Sequence, residues 1–265
     1  MSEDLARLFD FDPRPDPCES DEEIVHQRDR LHRYRPTATH SPWSNGVHWV
    51  RWDEQAVERG IDDVLAYYAA RDAGFIWTVG PDTTPRDLGE RLERRGLHLE
   101  ARTAMLVATL PIGGLRTNPE LVVRAVDDEA RMRDSISVEH PEWDEERTSA
   151  LLRERMAYLA CPGHSRHAVI AYLGGVPISA ARWRVSTLHP SIHLAGAETL
   201  AAYRGRGAYS TLVDYRTRIG LTIGCRYATI FADEATSAPI LAKRGFRIVG
   251  RCAHYLVPGS RSSSS

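Results

Sequence analysis

Residues 193–212 read HLAGAETLAAYRGRGAYSTL. The run starts with strand-like spacing, turns through Arg204-Gly205-Arg206-Gly207 and continues as STLVDYRTRIGL, whose apolar spacing is helical. Strand, glycine turn and helix start form a phosphate-binding arrangement. Glycine lets the backbone approach an anion, and the first helical turn offers unpaired N–H groups at the positive end of the helix dipole. A plain strand-to-helix turn with exposed arginines fits the same letters, so the flanking chain has to decide.

Upstream, LVVRAV (121–126) reads as a strand, followed by helices over 127–137 and 145–160. RHAVIAYL (166–173), Gly174-Gly175 and VPISAARWRV (176–185) predict a β-hairpin, and SIHLAGAETL (191–200) another strand. Downstream of a helix over 207–223 come a strand, RYATIFA (226–232), a short helix, APILAKRG, stopped by Gly245, and strand material in FRIVGRCAHYLVP. Before residue 111, residues 1–20 read as a loose lead and 21–31 as a short helix. VHWVRW (47–52) reads as a strand, 54–71 as a helix capped by Asp53, FIWTV (75–79) as a strand, LGERLERRG as a helix stopped by Gly96, and 98–110 as a strand. The order strand, helix, strand, helix, strand in 47–110 therefore recurs in 191–258, most sharply as LERRGL (92–97) against LAKRGF (241–246). Only the second copy has the glycine turn; the first has Trp52-Asp53-Glu54 there.

Bulk properties narrow the function classes. The chain has 265 residues and a formal net charge of −2, so no global field draws it to nucleic acid or an anionic membrane. Lys243 is the one lysine among many arginines. No apolar run is long enough to span a bilayer and the acidic N-terminus lacks an apolar signal core, so a cytoplasmic location is expected. Cys18, Cys161, Cys225 and Cys252 are scattered with no CxxC pair or His/Cys cluster. No metal is expected, disulfides are disfavoured in a reducing compartment, and Cys225 and Cys252 read as buried thiols.

Two phosphate-loop families compete for the turn. A dinucleotide GxGxxG needs glycine at position 210, where Ser210 stands, although Asp233 sits roughly where a ribose-binding acid would fall. Too little chain follows to complete a doubly wound sheet, and a Walker loop is excluded because no GK[ST] occurs. Instead, residues 121–258 resemble the GCN5-related N-acetyltransferase (GNAT) superfamily. Its motif [Q/R]-x-x-G-x-[G/A] is matched at Arg204 and Gly207, with Tyr209 replacing the final small residue, and its short helix ending in Gly-Phe is matched by residues 237–246. The first half resembles, more weakly, the degenerate copy of tandem members.

The resemblance implies an α+β fold with a mixed antiparallel and parallel sheet flanked by helices. It implies a degenerate half over 1–112 and an acyltransferase domain over 121–258; between them 113–120 reads as a linker, and the low-complexity GSRSSSS of 259–265 reads as a disordered tail. It implies an acyl-CoA-dependent N-acyltransferase, with acetyl-CoA as expected donor, acylating a primary amine of a small molecule or peptide in a ternary complex, as a monomer or homodimer and without membrane or nucleic-acid partners. An aminoacyl-tRNA donor on the same fold and a non-catalytic CoA-binding module are the alternatives. The implied cofactor contacts are main chain at Glu198, Thr199 and Leu200, and the loop Arg204, Gly205, Arg206, Gly207, Ala208, Tyr209 and Ser210. Glu198 is the expected general base and His193 the second candidate; because Leu241 occupies the position of the family's usual tyrosine, Tyr209, Tyr255 or solvent is left as the acid. Glu142, Trp143, Trp183 and His189 are candidates for lining the acceptor cleft.

Overall fold

The computed structural model describes residues 5–10, 12, 14, 16–19, 21–37 and 41–259. The chain divides into two compact units, Phe11–Ala104 with Gly250–Ser265, and Met1–Asp10 with Met105–Val249. Residues 260–265 of the expected tail lie outside the described residues.

The first unit holds β1 (Glu23–Gln27), β2 (Arg30–Tyr34), β3 (Gly46–His48), α1 (Val57–Ala69), β4 (Phe75–Val79) and α2 (Leu88–Arg94). It shares β5 (His98–Thr109) and β11 (Arg247–Val257) with the second unit along the chain. β1 to β3 pair antiparallel in turn, β3 pairs β4 in parallel, and β4 pairs β11 antiparallel. The helix expected over 21–31 is a hairpin instead: Glu23–Gln27 pairs antiparallel with Arg30–Tyr34 across a tight turn at Arg28-Asp29. The spacing of charges in DEEIVHQRDRL imitates a helix, but ladder pairing along 30–34 wins. Val57, Ile61, Val64 and Tyr68 of α1 pack with Leu88 and Leu92 of α2 on Phe75 and Trp77. The Tyr68 ring stacks on Phe75 at 4.0 Å, and its hydroxyl donates to the Arg33 and Gly46 carbonyls, tying α1 to β2 and β3.

The second unit holds β6 (Leu121–Ala125), α3 (Glu129–Glu139), α4 (Glu145–Ala160), β7 (Arg166–Leu173), β8 (Val176–Val185), β9 (Ser191–Thr199), α5 (Ala208–Thr222), β10 (Tyr227–Asp233) and α6 (Ser237–Ala242). Its strands run in the order β10-β9-β8-β7-β6, antiparallel except for the parallel pair β9–β10. Asp128 and Asp144 cap α3 and α4 by accepting from the Arg131 and Arg147 amides. Met132, Ile136, Leu151 and Leu152 of these helices pack on Ile170. On the opposite face α5 lies so close to β9 that a Cβ at Gly220 would fall 2.7 Å from Ile192. Ile192 pairs with Val185, three residues on from Arg182, so strand alternation puts α3 and α5 on different faces.

The five elements β3, α1, β4, α2, β5 match β9, α5, β10, α6, β11 in type and order, and the first two strands pair in parallel in each set. Gly96 and Gly245 both take left-handed φ, +85° and +89°, and the next amides, Leu97 and Phe246, reach back to Leu92 and Leu241. LERRGL and LAKRGF thus close their helices with the same turn. Cys225 and Cys252 are buried free thiols, whereas Cys18 and Cys161 are disulfide-bonded. The expectation against disulfides, which rested on compartment, is corrected at Cys18 and Cys161.

Two arginines hold the second unit together. Arg216 of α5 is fully buried, and burial pulls its pKa down to about 10, which leaves it charged at neutral pH. Its guanidinium donates to the Leu212 carbonyl at 3.0 Å and to the carbonyls of Arg182 at 2.7 Å and Ala195 at 3.3 Å. Arg155 of α4 grips Glu139 of α3 through two bonds of 2.8 and 2.9 Å, and the Ser135 hydroxyl donates to the same carboxylate. Burial alone would raise the Glu139 pKa, but Arg155 and Arg182 outweigh it and hold it at about 2.

Replacing Arg216 by methionine leaves two strand carbonyls unpaired in the interior and is expected to cost about 2–4 kcal/mol in denaturant-induced unfolding; an unchanged midpoint would contradict the pinning role. Glu139→Gln strands Arg155 and is expected to cost about 3–5 kcal/mol at neutral pH. Because the folded pKa of Glu139 lies below its ordinary value of 4.5, the stability it contributes is complete above that value and is lost as pH falls towards 2. The difference between wild type and Glu139→Gln should therefore narrow across that window; a pH-independent difference would contradict the assignment.

Candidate functional site

The site forms where β9 stops being an ordinary strand. β9 and β10 pair in parallel from Ser191↔Tyr227 to Leu194↔Ile230. β9 then runs on to Thr199 and β10 to Asp233, beyond that parallel register. On the other side, the register between β8 and β9 shifts between Ala180↔Glu198 and Arg182↔Ala195, so β9 carries one extra residue there, a β-bulge. Gly196 sits in the bulge with φ of +42°, and the Arg182 guanidinium lies 2.4–3.0 Å from where its Cβ would be. From the other face, Arg216 takes the Arg182 and Ala195 carbonyls. The Leu200 amide and the Glu198 carbonyl then anchor the strand end on β8, bonding to the Ile178 carbonyl and the Ser179 hydroxyl.

Beyond Thr199 the chain makes a 3-10 turn at Ala201–Tyr203 and enters the glycine loop. Gly205 and Gly207 take φ of +77° and +79°, a backbone that side-chain-bearing residues rarely adopt. Gly207 is the residue immediately before α5. The Thr211 amide and hydroxyl both return to the Gly207 carbonyl, and Asn118 braces the loop by donating from its side chain to the Arg206 carbonyl and from its amide to Thr211. The amides of Ala208, Tyr209 and Ser210 lie in the first turn, where the helix supplies no carbonyl. Arg204 and Arg206 are exposed at this end, Arg206 over the Tyr203 ring. The arrangement can receive an anion at the α5 start and an extended ligand along the β9 edge.

The expected site residues separate. Glu198, Thr199, Leu200 and residues 204–210 form one continuous edge. Glu198 is exposed; partial burial and the neighbouring Glu139 carboxylate raise its pKa, opposed by Arg204 and Arg182. His193 lies in the paired part of β9, its Nδ1 3.0 Å from the Thr229 hydroxyl and its ring edge-on to Phe9 and Phe231. Burial, reinforced by Arg184 and Arg216, pulls its pKa down to about 3. Tyr255 belongs to the core of the first unit, with its hydroxyl over Gly89. Tyr209 turns its hydroxyl into the interior, where Arg216 and Ser237 are polar neighbours and burial raises its pKa. Leu241 is core.

Of the proposed cleft residues, Trp143 stacks on His140 at 3.7 Å, Trp183 stacks on His167 at 4.1 Å, His189 faces Asp10 at 3.8 Å and Glu142 is exposed. Sequence reasoning missed Glu139, Arg155, Arg182 and Arg216, each of which reads as a surface residue of a helix or strand. Among the described residues no group of three or more His, Cys, Asp and Glu side chains is placed to hold a metal ion, and no helix is long and apolar enough to cross a membrane.

No family model and no curated protein matches the chain. Solved structures do. A GCN5-related N-acetyltransferase from Kribbella flavida superposes with a TM-score of 0.68 at 16% identity over 92% of both chains. A functionally unknown protein from Staphylococcus epidermidis gives 0.66 at 13% identity, over 89% of this chain and 94% of that one. A tandem GNAT protein from the clavulanic acid biosynthesis pathway gives 0.59 at 14% identity, over 96% of this chain and 91% of that one. These superpositions show a known architecture: the chain has the fold of the GCN5-related N-acetyltransferases.

Proposed function

We propose that this protein is an acyl-CoA-dependent N-acyltransferase, using acetyl-CoA, that acylates a primary amine by direct transfer in a ternary complex. The observation that carries the reading is the end of the parallel pairing at Leu194↔Ile230, followed by a β9 edge that runs straight into the two left-handed glycines at the start of α5. These residues fit a CoA thioester. Main chain at Glu198, Thr199 and Leu200 suits the pantetheine amides. The amides from Gly205 to Ser210 suit the pyrophosphate, with Arg204 and Arg206 adding charge at its edge. The bound thioester supplies an acyl carbon open to attack by an amine.

In this reading Glu198 is the base. Its raised pKa makes it a better proton acceptor than an ordinary surface carboxylate, and its exposure lets an ammonium reach it. Glu198 takes the amine proton, the nitrogen bonds to the acyl carbon, the C–S bond breaks, and the thiolate takes a proton from solvent. Leu241 donates none, His193 is held as a buried neutral ring, and Tyr255 is taken up in a core; none is retained in the mechanism. Proximity and orientation carry the rest of the rate.

The reading keeps residues 1–112 as a degenerate half, 113–120 as linker and 121–258 as the acyltransferase domain. At the corresponding junction of the first unit the Trp52 ring lies against Gly60 and its indole donates to Asp29, while Asp53 caps the Gln55 and Ala56 amides. A carboxylate of the chain's own already occupies that helix start, so one CoA per chain is expected. Leu241 favours a second reading, a CoA-binding module without turnover.

Calorimetry should show one acetyl-CoA per chain, with binding lost in Gly207→Glu, which forces a side chain and a negative charge into the loop; a wild type that does not bind would overturn the proposal. Glu198→Gln should bind acetyl-CoA normally and lower kcat by about 10²–10⁴-fold, removing the acidic limb of the pH profile. Binding without thiol release across a broad amine panel would favour the second reading.

A further inference from the structure

Phe231 of β10 is a large apolar side chain left 39% exposed, and it is the first residue of β10 beyond the last parallel pair, Leu194↔Ile230. The registers fix its face. Arg184 pairs with His193, Arg182 with Ala195 and Ala180 with Glu198, so His193, Ala195 and Glu198 share one face of β9, the face on which Arg182 meets Glu139 of α3. His193 pairs in turn with Thr229, and Phe231 stands two residues further along β10 on that same face, its ring 5.7 Å from His193. The other face is closed by α5, which packs on Ile192 and buries Arg216 against the Ala195 carbonyl. An amine that attacks a thioester held where β9 leaves β10 therefore arrives from the Glu198 face, with Phe231 at the foot of its approach.

A second aromatic ring is brought to the same place by a distant part of the chain. The N-terminal 3-10 turn Leu5–Phe9 lies on these strands. Phe9 sets its ring against Phe231 at 4.9 Å and 65°, and edge-on to His193 at 6.3 Å, while Asp10 faces His189 across 3.8 Å. The turn half-buries Phe9 and leaves Phe231 open. Lone exposed apolar side chains are ordinary on protein surfaces, but this one stands with a second ring at the point where two strands part. Rings that meet at an angle offer an edge and a face to a third ring, the arrangement that aromatic quadrupoles favour. Glu198 lies three residues beyond Ala195, roughly 10 Å at the rise of an extended strand. A ring seated on Phe231 thus carries an amine towards Glu198 on a spacer of a few carbons.

We infer that Phe9 and Phe231 form an aromatic seat for the acceptor, and that the acceptor is an arylalkylamine, a primary amine joined to an aromatic ring by a short alkyl spacer. This substrate class rests on the acyltransferase reading above. The ring occupies the apolar corner and the ammonium reaches Glu198, which takes its proton before the nitrogen attacks the acyl carbon. His193 closes the floor of the corner as an uncharged ring, which keeps the seat apolar. The N-terminal turn supplies half of the seat, so specificity is set by a segment far from Glu198 in sequence.

The test compares thiol release from acetyl-CoA with phenethylamine and with ethylamine, kcat/KM being referred to the neutral amine in each case. Wild type should prefer phenethylamine by about 10- to 100-fold, mostly through KM, as expected for seating a ring-sized apolar group. Phe231→Ala and Phe9→Ala should each lower that ratio by about five-fold or more, with ethylamine little affected. The ratio is taken within one preparation, so a loss of folded protein does not move it, and Phe9 lies outside the strands. Equal use of both amines by wild type, or a ratio unchanged in both variants, would overturn the seat. So would a Phe9→Ala variant that speeds both amines alike, the mark of a turn that only plugs the site. Failure of wild type to bind acetyl-CoA in calorimetry would sink the acyltransferase reading itself, and binding without turnover of either amine would overturn transfer and seat together. Turnover with no ring preference sinks only the seat.

Discussion

The three hydrogen bonds of Arg216 are the constraint on which the second unit depends. A bulge frees main-chain carbonyls from the ladder, and an interior carbonyl without a donor is costly. Arg216 reaches from α5 and supplies donors to the carbonyls of Arg182 and Ala195, the β8–β9 pair at one end of the irregularity. With those carbonyls satisfied, β9 can leave the register it keeps with β10 up to Leu194, turn its edge outward and deliver the chain to the glycine loop. The buried charge stays in place because it also bonds its own helix at Leu212. A packing interaction on one face thereby creates the opening in the sheet.

The opposite face is organised around a second charge. Glu139 ends α3, Arg155 comes from α4 and Arg182 from β8, so a single carboxylate joins two helices to the strand that pairs with the bulged one. Gly196 is the contact point between the two systems: the Arg182 guanidinium lies over it, and Arg216 takes the carbonyl of the preceding residue. The region where chemistry is proposed is therefore held from both sides by groups that are not themselves on the ligand edge, as a preorganised site requires.

Much of this architecture was legible in the letters. Strands β6 to β11 and helices α3 to α6 follow from alternation, Gly174-Gly175, Gly207 and Gly245, because turn glycines and helix stops are local events. The matching closures of LERRGL and LAKRGF were visible for the same reason. The first hairpin was not, since DEEIVHQRDRL carries helical charge spacing and only pairing between β1 and β2 decides it. The site was half visible. The loop of residues 204–210 announces itself through glycine, whereas AGAET in β9 reads as a plain small-residue strand and hides the bulge. Arg216 looks like any polar residue of an amphipathic helix, and Glu139 and Arg182 are unremarkable until the fold brings α3 onto β8. His193 shows the converse: an ordinary histidine pKa suggests a base, but its place in the paired, aromatic part of β9 keeps it neutral.

The central claim is that the freed edge of β9 and the start of α5 form one continuous seat for a CoA thioester. Amide hydrogen exchange with and without acetyl-CoA tests it most directly. The account predicts new protection along residues 195–200 and 204–210, with little change at the corresponding junction around Trp52 to Val57. Protection absent from the β9 edge and the glycine loop, or concentrated around Trp52 to Val57, would contradict it.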